Sequence, residues 1–209
     1  MLHLHPLRLL LLVVSLPGAG KGTLYKNVLA RIPGLKYWEC SALLREVYGQ
    51  FNGNSLFTDD QVWGVLQPTL HRLATATGYN LYCLDGAVRT GGQAKRMIDW
   101  ARANHCSLII LHQDVSEEEC LRRMLERGRN GERTEEQCRV RMGNLLPGTK
   151  KALKVLRAET DIALYVPVDG EGSASQTAEN AIKRLRKVGI TVATDPISRL
   201  SQAFTGSGS

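Results

Sequence analysis

Short apolar runs alternate with helical patterns along most of the chain. The helical segments carry apolar residues at intervals of three and four, and each is long enough to cross between parallel strands. The apolar runs lack the polar alternation of half-exposed strands, so both of their faces are expected to be buried. The five runs are Leu9–Ser15, Leu35–Trp38, Leu81–Asp85, Leu108–His112 and Ile162–Val168. The pattern predicts an α/β domain with a doubly wound, parallel, five-stranded sheet and helices on both faces.

Helix starts are marked by capping boxes, in which a hydroxyl side chain is followed three residues later by Glu or Gln. The four candidate pairs are Thr58/Gln61, Ser116/Glu119, Thr134/Gln137 and Ser173/Gln176. The longest predicted helix has one apolar face, which consists of Val62, Leu66, Leu70 and Leu73. Pro68 lies within that helix and predicts a kink, because proline removes a backbone donor.

The two ends of the chain differ from its middle. Met1–Arg8 followed by the apolar residues Leu9–Leu16 resembles a short targeting leader, and the same apolar residues also suit a central strand. The Gly-rich segment that follows them favours the strand. Periodicity is lost beyond Val192, and Thr205–Ser209 is typical of a flexible linker. We therefore expect one domain over residues 1–192 and a flexible tail over residues 193–209.

Composition excludes several classes of protein. An apolar content of 43% and a charged content of 22% exclude a wholly disordered chain. Apolar runs stay below the roughly 18 residues that a membrane-spanning helix requires. The five cysteines form no C-x-x-C pair and are odd in number, which disfavours a disulfide framework and a zinc site. We expect a cytoplasmic protein in a reducing compartment, without a membrane partner.

Positive charge is concentrated in one region. Lys and Arg number 27 against 20 Asp and Glu, a net charge of +7, and seven arginines fall between positions 122 and 141. An excess of Arg favours an anionic partner, which could be nucleic acid, a membrane surface or a phosphorylated small molecule. Charge alone also allows a solvated helix face balanced by the nearby glutamates.

A Gly-rich loop follows the first apolar run, with the sequence S-L-P-G-A-G-K-G-T over Ser15–Thr23. Small residues let successive backbone N–H groups surround an anion, and the following helix adds the positive end of its dipole. The segment departs from the pattern G-x-x-x-x-G-K-[ST] at Ser15 and at Gly22, which moves the hydroxyl to Thr23. We expect a phosphate-binding loop whose Lys21 contacts the β- and γ-phosphates; the alternative is a Gly-rich turn that only joins a strand to a helix.

A second segment, L-D-G-A-V-R-T-G-G-Q, begins at Leu84 at the end of the third predicted strand. Asp85 lies where parallel α/β sheets bind their ligands, and its carboxylate suits the water shell of Mg²⁺. Arg89 offers a forked contact to a phosphate, and the Gln93 amide offers both a donor and an acceptor to an adenine edge. An Asp-Gly pair alone predicts only a turn.

The two segments together resemble the signatures of the adenylate kinases and their nucleoside monophosphate kinase relatives. That family carries G-K-G-T with the displaced hydroxyl, and L-D-G-F-P-R-T-x-x-Q, in which Ala87-Val88 here replaces Phe-Pro. The resemblance covers roughly residues 8–188. It implies a P-loop NTPase-type fold with a small helical monophosphate-binding insert at about residues 38–75 and a short lid at about residues 127–136.

The resemblance also implies functions for individual residues. Those that would bind ATP are Pro17, Gly18, Ala19, Gly20, Lys21, Gly22, Thr23, Arg127 and Gly172. Those that would bind the acceptor monophosphate are Arg45, Gly86, Arg89 and Gln93. The catalytic charges are Lys21, Arg89, Arg133 and Arg141, and the residues that would hold Mg²⁺ through water are Thr23 and Asp85.

Within this scheme Arg127 stacks on the adenine, while Arg133 and Arg141 close over the transferred phosphoryl group, with Arg129 a rival for Arg133. Two departures concern the acceptor side and the lid. The residues before Leu43-Leu44-Arg45 are E-C-S-A, so the family's Thr, Gly and Asp are absent, and so is the acidic pair of the lid.

The implied activity is that of an adenylate kinase, which transfers the γ-phosphoryl group of Mg²⁺-ATP to AMP and yields two ADP. The implied partners are small-molecule nucleotides and not nucleic acid, and the implied state is a monomer. Three alternatives remain open at this point. One is a UMP/CMP-type or other monophosphate kinase, and another is a related nucleotide-binding module that does not catalyse. The third is a nucleic-acid-binding protein, which predicts steep salt dependence of binding to oligonucleotides.

Overall fold

The computed structural model describes residues 8–49, 57–77, 80–128 and 134–193. Its sheet is built from five strands, β1 (Arg8–Val14), β2 (Lys36–Glu39), β3 (Asn80–Asp85), β4 (Ser107–Asp114) and β5 (Ala163–Asp169). All neighbouring strands are parallel, in the order β2-β3-β1-β4-β5. The predicted five-stranded parallel sheet is confirmed, and each predicted strand lies within one residue of its observed bounds except at the carboxyl end of β4, where the difference is two residues.

The strands are connected by helices α1 (Lys21–Asn27), α2 (Cys40–Tyr48), α3 (Asp59–Thr75), α4 (Gly91–Ala103), α5 (Glu117–Arg127), α6 (Glu135–Ala158) and α7 (Ala174–Lys187). Helix α3 continues through Pro68 as one element, and α6 likewise contains Pro147. Within the described ranges no helix has the length and apolarity needed to cross a bilayer.

The predicted capping boxes are present at Thr58, Thr134 and Ser173. At the fourth predicted box, Ser116/Glu119, one of the two expected hydrogen bonds is present. The Ser116 hydroxyl accepts from the Glu119 N–H, but the Glu119 carboxylate accepts from Arg122 and Arg123 instead. The capping-box pattern does not predict this difference, because it does not include arginines one turn along the helix that compete for the Glu119 carboxylate.

Alternate residues of the central strand β1 face two separate cores. Leu10, Leu12 and Val14 pack with residues of α3, α4 and α6 on one face of the sheet. Leu9, Leu11 and Val13 pack with residues of α1 and α7 on the other. Because both faces are covered, the strand needs no polar alternation. The apolar face predicted for α3 is buried, with exposed fractions of 0–6%.

The strand order determines where a ligand can bind. The chain leaves β1 toward β2 on one side of the sheet, whereas it leaves β4 toward β5 on the other. Connections that diverge in this way open a crevice beyond the carboxyl ends of the strands. The Gly-rich loop follows β1, so it borders this crevice. Asp85 ends β3 and Gln113 lies near the end of β4, on either side of it.

Candidate functional site

The loop between β1 and α1 depends on two glycines with left-handed backbone conformations. Gly18 has φ +84° and Gly20 has φ +101°, a region that other residues rarely adopt. A Cβ added to Gly18 would lie 2.2 Å from the carbonyl oxygen of Cys120, so the loop packs directly on α5. The predicted strand–loop–helix arrangement is therefore present, and Pro17 and Ala19 are buried within it.

Ser15 stands at the first position of the loop, where the phosphate-loop pattern has glycine. Its hydroxyl accepts a hydrogen bond from the backbone N–H of Gln113 at 3.3 Å. The bond joins the start of the loop to β4. The residue that departs from the phosphate-loop pattern thus has a structural function of its own.

Lys21 begins α1, and its ammonium group turns back over the loop. Nζ donates to the carbonyl oxygens of Leu16 at 3.1 Å and Ser15 at 3.4 Å. Burial lowers the pKa of Lys21 to about 8; the charge of Asp85 opposes this decrease, and Arg89 and Arg127 add to it. The charges of Asp85, Arg89 and Arg127 therefore all act on Lys21.

We expect nucleotide binding to depend on pH through Lys21. Below pH 8 the ammonium is already charged, so affinity should be flat. Above pH 8 Lys21 is largely neutral in the free protein. A bound phosphate that returns the pKa of Lys21 to its ordinary value of 10.5 requires Lys21 to take up a proton, so affinity should fall by up to about tenfold per pH unit. Calorimetry of a non-hydrolysable Mg²⁺-ATP analogue, in two buffers of different ionisation enthalpy, should detect proton uptake at pH 9 and none at pH 7.

The matched control is Lys21→Ala, which should abolish the uptake. Identical heats in the two buffers at pH 9 for the unsubstituted protein would contradict the assignment of the pH dependence to Lys21.

Asp85 is 6% exposed at the carboxyl end of β3. Its Oδ2 accepts from the Tyr37 hydroxyl at 2.8 Å, while its Oδ1 is buried and has no hydrogen-bond partner among the described residues. A free carboxylate oxygen beside Lys21 fits the water shell of a nucleotide-bound Mg²⁺. The predicted second residue, Thr23, is exposed in the first turn of α1 and suits the same ion.

Arg89 lies in the short segment between β3 and α4. Its Nε donates to the Gly86 carbonyl at 3.1 Å. Burial lowers the pKa of Arg89; the charges of Cys40, Asp85 and Glu39 act in the opposite direction, and Arg141 lowers it further. The structure therefore brings Arg141 of α6 within electrostatic reach of Arg89, as predicted.

The backbone of Arg89 is held from two sides. On one side Gln93 Oε1 accepts from the Arg89 N–H at 2.7 Å. On the other, the Arg89 carbonyl packs against Gly148 of α6, where an added Cβ would lie 2.5 Å from the oxygen. Gly148 was not predicted from the sequence, because its importance arises from a close approach between distant segments.

Gln93 and Thr90 form the start of α4. Thr90 Oγ1 accepts from the Gln93 N–H at 3.1 Å and donates to Asp59 at 2.9 Å. The R-T-x-x-Q spacing therefore has a structural explanation as well as the ligand-binding one. Gln93 is 6% exposed and its carbonyl already has a partner, so only its Nε2 is left for the predicted contact with adenine.

Arg45 of α2 is half-exposed and lies 3.5 Å from the carboxylate of Glu39, which also accepts from the Ser41 hydroxyl. Glu39 ends β2 beside the site and raises the pKa of Arg89. The sequence analysis noted Glu39 only as a departure from the family pattern. In the structure its charge acts on both arginines that are predicted to bind the acceptor phosphate.

A cavity of about 470 Å³ lies between the loop, α5 and the segment that follows β5. The site residues that line it include Gly20, Thr23, Gln113, Arg123 and Gly172. Arg123 donates to the Ala19 carbonyl at 3.2 Å and to the Gly170 carbonyl at 2.8 Å, and so joins the two walls. Gly172 is where the sequence predicted it.

Arg127 is the described arginine that the sequence analysis expected to stack on adenine, and that expectation stays a prediction. It is not among the residues that line the cavity, and its charge acts on Lys21. Arg123, four residues earlier on α5, takes the cavity position. Arg133 and its rival Arg129 lie outside the described residues, as does the middle of the predicted lid, so the prediction of a closing function for them stands untested.

Comparison with known proteins places this geometry in a wider context. A family model described as an AAA domain matches residues 10–143, which include the Gly-rich loop, Asp85 and Arg89. No curated protein sequence matches the chain.

Several solved structures share the fold. A gluconokinase from Sinorhizobium meliloti 1021 is 17% identical, with a TM-score of 0.53 over 97% of this chain and 99% of that one. A sugar kinase from Janibacter sp. HTCC2649 is 21% identical, with a TM-score of 0.56 over 87% and 95%. A shikimate kinase from Acinetobacter baumannii, solved with shikimate, is 17% identical, with a TM-score of 0.53 over 87% and 93%. The fold is thus that of the P-loop kinases, a broader group than the adenylate kinases that the sequence resembles.

Proposed function

The chain belongs to the AAA domain family, and from this premise we propose that it is an ATP-dependent kinase of a small molecule, with AMP as its acceptor. One observation carries the proposal: the charges of Lys21 in α1, Asp85 at the end of β3 and Arg89 after β3 act on one another, and Arg141 of α6 acts on Arg89. Cations grouped in this way with a buried carboxylate are suited to bind phosphoryl groups and a metal.

The proposed reaction needs little covalent chemistry from the protein, because positioning and charge neutralisation govern phosphoryl transfer. The backbone N–H groups of the loop and Lys21 would bind the ATP phosphates. Mg²⁺, when bound with ATP through Thr23 and Asp85, supplies further positive charge. Arg89 and Arg141 would stabilise the negative charge on the acceptor side.

The nucleotide base would occupy the cavity beside Arg123. The guanidinium there is already held by two backbone carbonyls and by Glu119, so its orientation is set before ligand binds. A planar guanidinium is suited to stack on a base. Arg127, which interacts with Lys21, would contact phosphates rather than adenine.

AMP as the acceptor rests on the resemblance in the sequence and on the pair Arg45 and Arg89. An acceptor phosphate is already an anion at neutral pH and needs no general base. Glu39 is the specific observation that favours a second candidate, a kinase whose acceptor is a hydroxyl group. A hydroxyl must lose a proton during transfer, and a carboxylate within the site could accept it. The gluconokinase and the shikimate kinase that share the fold act on acceptors of this kind.

An acceptor panel tests the proposal. Purified protein with Mg²⁺-ATP would be incubated separately with AMP, GMP, CMP, UMP, dTMP, gluconate and shikimate, with Lys21→Ala as the blank. We expect two ADP for each AMP consumed. A different preferred monophosphate changes the acceptor but not the reaction type, and phosphorylation of gluconate or shikimate supports the second candidate. ATP binding without any transfer across the panel would contradict the proposed kinase activity.

Glu39→Gln separates the two candidates by a second route. For a monophosphate acceptor, removing the competing negative charge should lower KM by a few-fold and leave kcat largely unchanged. For a hydroxyl acceptor, removing the base should lower kcat by about 10²–10⁴-fold.

A further inference from the structure

Tyr37 connects three elements around the candidate metal ligand. It lies on the edge strand β2, which is in register with β3 so that Tyr37 pairs with Cys83 and Glu39 with Asp85. Its hydroxyl reaches the residue two positions beyond Cys83 on β3 and donates to Asp85 Oδ2 at 2.8 Å. Its ring stacks on Tyr25 of α1, with centroids 4.0 Å apart and planes inclined by 26°.

The hydrogen bond makes the two carboxylate oxygens of Asp85 different. Burial and the negative charge of Asp85 both raise the pKa of Tyr37, so the phenol remains a donor throughout the neutral range. Oδ2 is therefore engaged by Tyr37, whereas buried Oδ1 has no partner among the described residues. A buried acceptor without a donor is unfavourable unless a ligand or water satisfies it.

We propose that Tyr37 is a positioning residue, which holds the Asp85 carboxylate in one orientation and keeps Oδ1 available to the water shell of nucleotide-bound Mg²⁺. This inference rests on the proposed function. Without the Tyr37 hydroxyl, Oδ2 of Asp85 loses its donor and the carboxylate is free to rotate. Metal binding must then fix the orientation of the Asp85 carboxylate, which the hydrogen bond otherwise fixes in advance, and this cost weakens the metal site.

Calorimetry of a non-hydrolysable ATP analogue tests the inference, with each protein measured in Mg²⁺ and in a chelator. Tyr37→Phe should weaken binding of the Mg²⁺-analogue about tenfold and leave binding of the metal-free analogue unchanged. Tyr25→Phe is the matched control. It removes a hydroxyl from the same stacked pair but from the ring that does not bond to Asp85, so both affinities should stay as they are.

The outcomes distinguish the inference from the function on which it rests. If Mg²⁺ strengthens binding to the unsubstituted protein and Tyr37→Phe binds equally well, the inference alone fails. An equal loss with and without Mg²⁺, or an equal loss in Tyr25→Phe, indicates a merely structural residue and also overturns it. If Mg²⁺ has no effect on the unsubstituted protein, the metal assignment fails together with the inference.

A double-substitution comparison tests whether Tyr37 and Asp85 act on the same interaction. In an Asp85→Asn background, Tyr37→Phe should cause no additional loss of Mg²⁺-dependent affinity, because both changes act on one interaction. A further tenfold loss in that background would overturn the inference.

Discussion

Replacing Lys21 by alanine is expected to lower kcat by about 10²–10³-fold while the protein remains folded. In the proposed function Lys21 would supply a positive charge at the phosphates, where negative charge is redistributed during transfer. Its own contacts are with two carbonyls of the loop, and it contributes no apolar side chain to either core. Burial disfavours its charged form in the free protein, so its removal should cost little stability.

Lys26→Ala is the control for this substitution. It removes the same charge from the same helix, but Lys26 is exposed in the last turn of α1. Initial rates with the acceptor selected by the panel, together with circular dichroism of each protein, provide the comparison. A Lys21→Ala protein whose kcat stays within a few-fold of the unsubstituted protein would refute the assigned function of the loop.

The second large effect is expected for Gly18→Ala, which should lower the free energy of unfolding by about 3 kcal/mol. Gly18 has φ +84°, and the new Cβ would lie 2.2 Å from the Cys120 carbonyl and 2.9 Å from the Met124 side chain. The first contact is with backbone, so it is relieved only when the loop moves away from α5. Tm should fall by roughly 6–12 °C, and nucleotide affinity should fall with it because the displaced loop loses its backbone geometry.

Gly143→Ala provides the matched measurement. Gly143 lies within α6, and a Cβ there would meet nothing within 4 Å. The same methyl group should therefore raise helix stability by up to about 1 kcal/mol. Thermal unfolding of both variants, with and without nucleotide, tests the pair; equal Tm values for Gly18→Ala and the unsubstituted protein would show that the loop does not need its left-handed glycine.

The predicted properties that the structure bears out are those that depend on residues close together in the sequence. The five strands follow from apolar runs whose lengths and lack of alternation suit a sheet covered on both faces. The phosphate-loop geometry follows from glycines at positions 18 and 20 directly before a helix. Three complete capping boxes follow from a hydroxyl and an amide three residues apart. In each case one local segment contains all the groups that make the interaction.

The remaining features depend on side chains that folding brings together from distant segments. Tyr37 bonds to Asp85 across 48 positions, and the carbonyl of Arg89 packs on Gly148. Glu39 acts on Arg89 only because β2, which Glu39 ends, pairs with β3, which precedes Arg89 in the chain. Arg123 and Arg127 lie one turn apart on the same face of α5, and the packing of that helix along its axis places Arg123, and not Arg127, against the cavity.

The sequence by itself therefore determined the class of fold, the strand–loop–helix arrangement of the Gly-rich loop and the set of charged residues that we propose for phosphoryl transfer. Only the tertiary structure decided which of those charges interact, which Asp85 oxygen has no partner among the described residues, and that Glu39 acts on both Arg45 and Arg89. The physical reason is that backbone conformation responds to near neighbours, through local hydrogen bonding and periodic burial. The orientation of a functional side chain responds instead to packing and electrostatics from every element around it.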